Sequence, residues 1–168
     1  MKDQHSFLAW ILSQSPTAAL LDKWRRVQAD INNDLEVVAQ CQAGKPCPAP
    51  AQRLIGLGRE AHGRSGRAGV GVLNRAFDLA ISPLSDKIQW GVPDHWSHPL
   101  ETLQSNAGDC KDYAIVKYAA LLTAGVPKDA LKIVVLRNRL PNEDHAVLAV
   151  RVENEWLILD NRTLATLS

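Results

Sequence analysis

Apolar side chains recur every three or four residues from about Thr17 to Gln40. Ala18, Leu21, Trp24, Val27, Ile31, Leu35 and Val38 share one stripe, with Pro16 near its start. This spacing predicts an amphipathic helix, and proline is tolerated at a helix start. A proline-rich loop follows, then a second helical stretch from about Pro50 to Glu60. The glycine- and arginine-rich run 63–71 reads as a flexible basic connection. It lacks a preceding buried strand and a GK[ST] ending, so it does not read as a phosphate cradle. Val72–Ile81 resumes an amphipathic helix. Pro83, Gly91, Pro93 and Pro99 then punctuate a long loop region that carries Trp90 and Trp96.

From Gly108 the pattern changes. Cys110–Ala124 is apolar almost all round, broken mainly by Lys111, Asp112, Lys117 and Thr123, and Gly125 and Pro127 mark its end. Three strands are predicted after it: Leu131–Arg137, His145–Val152 and Glu155–Asn161. A polar connection, Arg137–Asp144, joins the first two, and Glu153-Asn154 forms a tight hairpin turn between the last two. The chain therefore reads as α+β. It is expected to form a single domain over 1–168, helical to about 82 and with a catalytic core from about 83.

The 168 residues are 46% hydrophobic and 22% charged, which suits one folded domain rather than a disordered chain. Nineteen Lys+Arg against eighteen Asp+Glu leave a net charge of +1, so a dedicated nucleic-acid binder is not expected. No run approaches the roughly 20 apolar residues of a membrane-spanning helix. Met1–Leu12 is a poor secretory signal, with a short apolar stretch from Phe7 and no small-residue cleavage site close behind.

The three cysteines guarantee one thiol that cannot pair within the chain. Cys41 and Cys47 bracket a short turn-rich loop. A disulfide there is geometrically feasible and implies an oxidising compartment, the alternative being two free thiols. The spacing does not suit a zinc knuckle. Cys110 lies at the predicted start of the apolar helix, where unpaired amides and the helix dipole favour a thiolate and can receive an oxyanion. Position alone also fits a buried structural cysteine.

The hairpin adds weight to the reactive reading. With a two-residue turn, Val152 faces Glu155 and Asp160 falls opposite Val147. His145, two residues from Val147 on the same face, becomes a diagonal neighbour of Asp160. A carboxylate there can orient one imidazole nitrogen and leave the other for a nucleophile. Among the other histidines, His5 and His62 lie in terminal or helical polar surroundings. His95 and His98 have only Asp94 and Glu101 as nearby carboxylates in sequence, a poor metal signature.

Taken in order, Leu73-Asn74-Arg75-Ala76-Phe77, Trp90-Gly91-Val92-Pro93-Asp94-His95-Trp96, Gly108-Asp109-Cys110-Lys111-Asp112-Tyr113-Ala114-Ile115, Lys117-Tyr118, Gly125-Val126-Pro127, His145-Ala146-Val147-Leu148 and Leu159-Asp160-Asn161 resemble the bacterial transglutaminase-like cysteine proteinases. The resemblance covers about residues 70–163. It implies a papain-like core, with a nucleophile-bearing helix packed on a small antiparallel sheet. It also implies Cys110 as nucleophile, His145 as general base and acid, and Asp160 as the group orienting His145. Export to the periplasm is typical of such proteins. That agrees with a Cys41–Cys47 disulfide and implies a signal peptide outside this sequence.

The LapG-like branch of the family cleaves large surface adhesins, binds calcium through acidic residues flanking its cysteine, and is sequestered by an inner-membrane receptor for cyclic-di-GMP. A protein or peptide substrate is thus expected, with an adhesin and a membrane receptor as candidate partners. Asp109 matches one acidic flank, but Lys111 occupies the other, and an ammonium repels calcium. No cofactor is expected to be required; calcium stays open but is disfavoured by Lys111. Lys111 is instead a candidate for stabilising the Cys110 thiolate. Gln89, Trp90 and Trp96 are candidate second oxyanion donors. The same residues also fit transglutaminase or amidase transfer on glutamine side chains, or a catalytically silent peptide- or receptor-binding module.

Overall fold

The computed structural model describes residues 17–138 and 143–168; the side chains of His62, Arg137 and Asn138 are left aside. The signal-peptide reading of Met1–Leu12, His5 and residues 139–142 of the polar connection fall outside what is described, while the ends of that connection, 137–138 and 143–144, belong to strands. Three helices come first: α1 (Ala18–Gln42), α2 (Ala49–His62) and α3 (Gly66–Ala80). Two short helices, α4 (Asp86–Trp90) and α5 (Pro99–Ser105), precede α6 (Cys110–Thr123). Ser82–Pro83 (β1) and Ala107–Gly108 (β2) pair in parallel. β3 (Leu131–Asn138), β4 (Glu143–Val152) and β5 (Glu155–Leu159) form an antiparallel sheet in sequential order.

Helix α6 is the centre of the molecule, and every residue from Lys111 to Leu121 is buried. Its all-round apolar character follows from that position, because helices pack on one side and the sheet on the other. Leu131, Ile133, Leu148, Val150, Leu157 and Leu159 join the same core. From the far side Trp24 of α1 meets Tyr118 edge-on, with ring centroids 5.7 Å apart. A lysine in the middle of this helix is also satisfied: the buried Lys117 ammonium lies 2.5 Å from Asp78 and donates to Asn74 at 2.8 Å.

The run 63–71 is not a flexible connection. Ser65 is the N-cap of α3 and the helix begins at Gly66. Gly69 serves packing, since a Cβ there would come within 2.4 Å of the Arg64 carbonyl oxygen, and Gly66 starts the helix with a positive φ of 59°. The long loop region likewise contains α4 and α5. Pro99, read as punctuation, is instead at the first turn of α5. Gly91 and Asn106 end these two helices in the left-handed conformation. A disulfide joins Cys41 to Cys47 across the turn between α1 and α2.

Asp34 ties α1 to the segment leading into the core. Its buried carboxylate accepts from His98 Nδ1 at 2.7 Å and from the Leu100 backbone N–H at 2.9 Å. The Asp34 hydrogen bond raises the His98 pKa above 6.5, against the opposing effect of burial. A raised histidine stabilises the fold below its ordinary range and loses that contribution as pH rises through the raised value. Asp34→Ala is therefore expected to cost about 2–3 kcal/mol in urea denaturation, from the loss of hydrogen bonds to a charged group. The wild type is expected to lose stability on the alkaline side of 6.5, and His98→Asn should remove that loss in urea denaturation at a series of pH values.

Candidate active site

Helix α6 begins with a reciprocal cap. The Asp109 side chain accepts from the Lys111 N–H at 3.2 Å, while the Asp112 carboxylate reaches back to the Asp109 N–H at 3.0 Å. Asp112 also accepts from the Ser97 N–H at 3.1 Å, which joins the loop before α5 to the helix start. Gly108 is required by this closeness: a Cβ there would lie 2.7 Å from Asp112 Cβ. Cys110 is thereby fixed as the first helical residue, with a backbone N–H that has no acceptor within the helix.

The sheet meets this helix end at β4. The Ala146 backbone N–H points at Cys110 Sγ, 3.4 Å away, so the thiol lies against the strand segment that carries His145. Glu153 and Asn154 both have positive φ, 52° and 66°, the two-residue turn that suits a hairpin. Val152 pairs with Glu155 and Leu148 with Leu159, as the sequence register requires. Asp160 follows directly, and its Oδ1 lies 2.9 Å from His145 Nε2. His145 is 5% exposed. β5 ends at Leu159 rather than the expected Asn161, so Cys110, His145 and Asp160 are drawn into one region from a helix start, a strand and the residue just after the next strand.

Asp160 is held below the usual carboxylate range. Burial opposes this, but the Arg162 N–H and the His145 ring outweigh it. Cys110 behaves differently from expectation. Burial pushes its thiol above the ordinary value; the Ala146 N–H and the Lys111 charge pull down, Asp109 pushes up, and the balance stays raised. A resting thiolate set by the helix start and Lys111 is therefore not what the site favours. The thiol is half-buried, and the Lys111 ammonium is engaged by carboxylates.

The Lys111 side chain is engaged by a set of carboxylates. Its Nζ donates to Asp86 at 2.6 Å and to Asp109, and lies 3.7 Å from Asp94. Burial works against the ammonium, yet Asp109 and Asp86 hold its pKa well above the ordinary lysine value. Metal-ligating atoms of Asp86, Asp109 and Asp112 lie within 4.8 Å of one another. Of these, Asp86 and Asp112 were not singled out as ligands from sequence. The Asp-x-x-Asp spacing at the helix start was a usable signal for Asp112.

A cleft of about 560 Å³ opens over this region, lined by Cys110, Asp109, Lys111, Asp94, Trp96 and Ala146 among others. Of the three oxyanion candidates, only Trp96 lines it. Gln89 spends its amide on Ser105 and the Ala107 carbonyl, at 3.0 and 3.2 Å. Trp90 packs on His95, with ring centroids 4.6 Å apart. His95 bonds Glu101 and His98 bonds Asp34, so neither histidine forms a metal site with the other.

The profile described as bacterial transglutaminase-like cysteine proteinase matches residues 60–167, more than half of the chain, and the chain belongs to that family. It is a transglutaminase-like cysteine peptidase. Among solved structures, LapG of Legionella pneumophila is 25% identical, with a TM-score of 0.58 over 82% of this chain and 75% of LapG. Its calcium-bound form aligns with 25% identity and a TM-score of 0.46 over 68% of this chain and 76% of its own. A structure described as a TGase shares the fold at 12% identity and a TM-score of 0.53, over 90% of this chain and 34% of that one. No curated protein sequence gives a significant match.

Because the cap is so close, Gly108→Ala is expected to destabilise the protein by about 1–3 kcal/mol. The same variant should slow alkylation of Cys110 by iodoacetamide under native conditions, since the helix start must shift. Unchanged stability and alkylation would show that the cap tolerates the methyl group.

Proposed function

We propose that this chain is a periplasmic cysteine peptidase, folded as one domain, that works through Cys110, His145 and Asp160. One observation carries the reading: the Cys110 thiol lies against the strand residue next to His145, while His145 Nε2 is bonded to Asp160. Nε2 being engaged leaves Nδ1 to exchange a proton with the sulfur. His145 acts as the general base that takes the thiol proton in the attack.

In this mechanism Cys110 Sγ adds to a peptide carbonyl as its proton passes to His145. The carbonyl oxygen takes the negative charge and is met by the Cys110 N–H; Trp96 can be the second donor only if its indole N–H leaves the Asp94 carboxylate that it bonds. Collapse breaks the C–N bond, and His145 returns the proton to the departing amine. A water, deprotonated by His145, then adds to the thioester, and the acid and the thiol are released. Asp160 holds the ring in place and stabilises its protonated form.

The Cys41–Cys47 disulfide supports an oxidising compartment. Family membership supports an exported protein as substrate, with a large surface adhesin the first candidate and an inner-membrane receptor the candidate regulator. No helix among the described residues is long and apolar enough to cross a membrane.

Cys110→Ala should lose cleavage by at least about a hundredfold, the scale of removing a nucleophile; undiminished cleavage would remove Cys110 from the role. New peptide termini support hydrolysis, whereas incorporation of a labelled primary amine at glutamine would redirect the reading to transfer. His145→Ala should move alkylation of Cys110 to higher pH, because the thiol then loses its base. An unshifted profile would separate His145 from the sulfur.

A further inference from the structure

Lys111 stands one residue from Cys110, and its side chain is only 10% exposed. An ammonium is rarely enclosed to this degree without several acceptors. Here three carboxylates surround it. Asp86, on α4, is 3% exposed and 2.6 Å from Nζ. Asp109, the cap of α6, also contacts it, and Asp94 approaches to 3.7 Å from the loop that carries Trp96. Three separate stretches of chain thus converge on one positive charge at the wall of the cleft.

Two of these carboxylates, Asp86 and Asp109, together with Asp112 resemble a divalent-cation site in their chemistry. Asp86, Asp109 and Asp112 present ligand atoms within 4.8 Å of one another. Asp86 Oδ1 is buried and has no hydrogen-bond partner among the described residues. Calcium takes roughly 6–8 oxygen donors and needs the space between them. In this chain the Lys111 Nζ sits against two of the three acidic groups, and its charge repels a second cation. Calcium therefore does not fit the residues as they stand.

We propose that the Lys111 ammonium replaces a divalent cation beside Cys110, joining α4, the Asp94 loop and the α6 cap so that the cleft is set without calcium. Lys111 is a positioning residue in this role: it touches carboxylates and acts on the sulfur through the cap. The inference rests on Cys110 being the reactive centre, and it defines how that centre is held and regulated. A tethered cation cannot be withdrawn by a chelator, so the site is constitutively assembled.

The test uses stability, calcium binding and thiol alkylation rather than proteolysis, which keeps it separate from the peptidase assignment. The wild type should show the same Tm in EGTA and in millimolar calcium, and no calcium binding by calorimetry. Lys111→Gln in EGTA should lose about 10 °C in Tm, on the scale of breaking a buried ion pair. Its iodoacetamide reaction at Cys110 should also change severalfold. Calcium should restore a substantial part of both, and Lys111→Arg should retain them without calcium.

A wild type that binds calcium or gains Tm from it overturns the proposal, as does a Lys111→Gln protein indistinguishable from wild type in EGTA. A Lys111→Gln protein that is destabilised but indifferent to calcium also overturns it. Where Lys111→Gln does not fold on expression, refolding from denaturant decides: recovery only with calcium supports replacement, and no recovery in either condition counts against it.

Discussion

The buried Asp112 carboxylate is the constraint on which the rest of the site depends. It closes the helix cap through the Asp109 N–H and holds the preceding loop through the Ser97 N–H. Burial, with the charge of Asp109 adding to it, pushes this carboxyl up to about 7. The arrangement is costly, and it persists because each carboxylate oxygen accepts from one backbone N–H and Gly108 leaves room for it. With that cap in place Cys110 can occupy only the first turn, facing the strand that brings His145.

Helix α6 carries two buried lysines, each matched by carboxylates from another element. Lys117 meets Asp78 of α3, and Lys111 meets Asp86 of α4 and Asp109 of its own cap. Replacing such pairs by apolar side chains is often neutral for stability, but removing one partner is not. Their effect is directional. They fix how α6 is rotated and how far it extends, which a wholly apolar helix surface would leave loosely determined.

Much of this was legible in the sequence, and particular residues show why. The period of Trp24, Val27 and Ile31 marked α1, and the apolar run after Cys110 marked the enclosed helix. The two-residue turn fixed the register that brings Asp160 beside His145. The family pattern placed the three candidate reactive residues in order. The electrostatics were not legible, since Asp86 and Asp94 lie far from Lys111 in sequence and meet it only through the fold. Gly69 shows the limit in 63–71: a small residue permitting close packing and one permitting flexibility look alike in a sequence. Pro99 carried the corresponding ambiguity between ending an element and starting one.

The turn at Glu153-Asn154 also acts as a ruler. Two left-handed residues set the count between His145 on one strand and Asp160 just after the next. One inserted residue would leave the composition almost untouched but reverse the side of the sheet on which Asp160 emerges. The histidine would remain on its strand, stripped of its carboxylate. Evolutionary drift in length is therefore far less tolerable at this exposed hairpin than drift in identity.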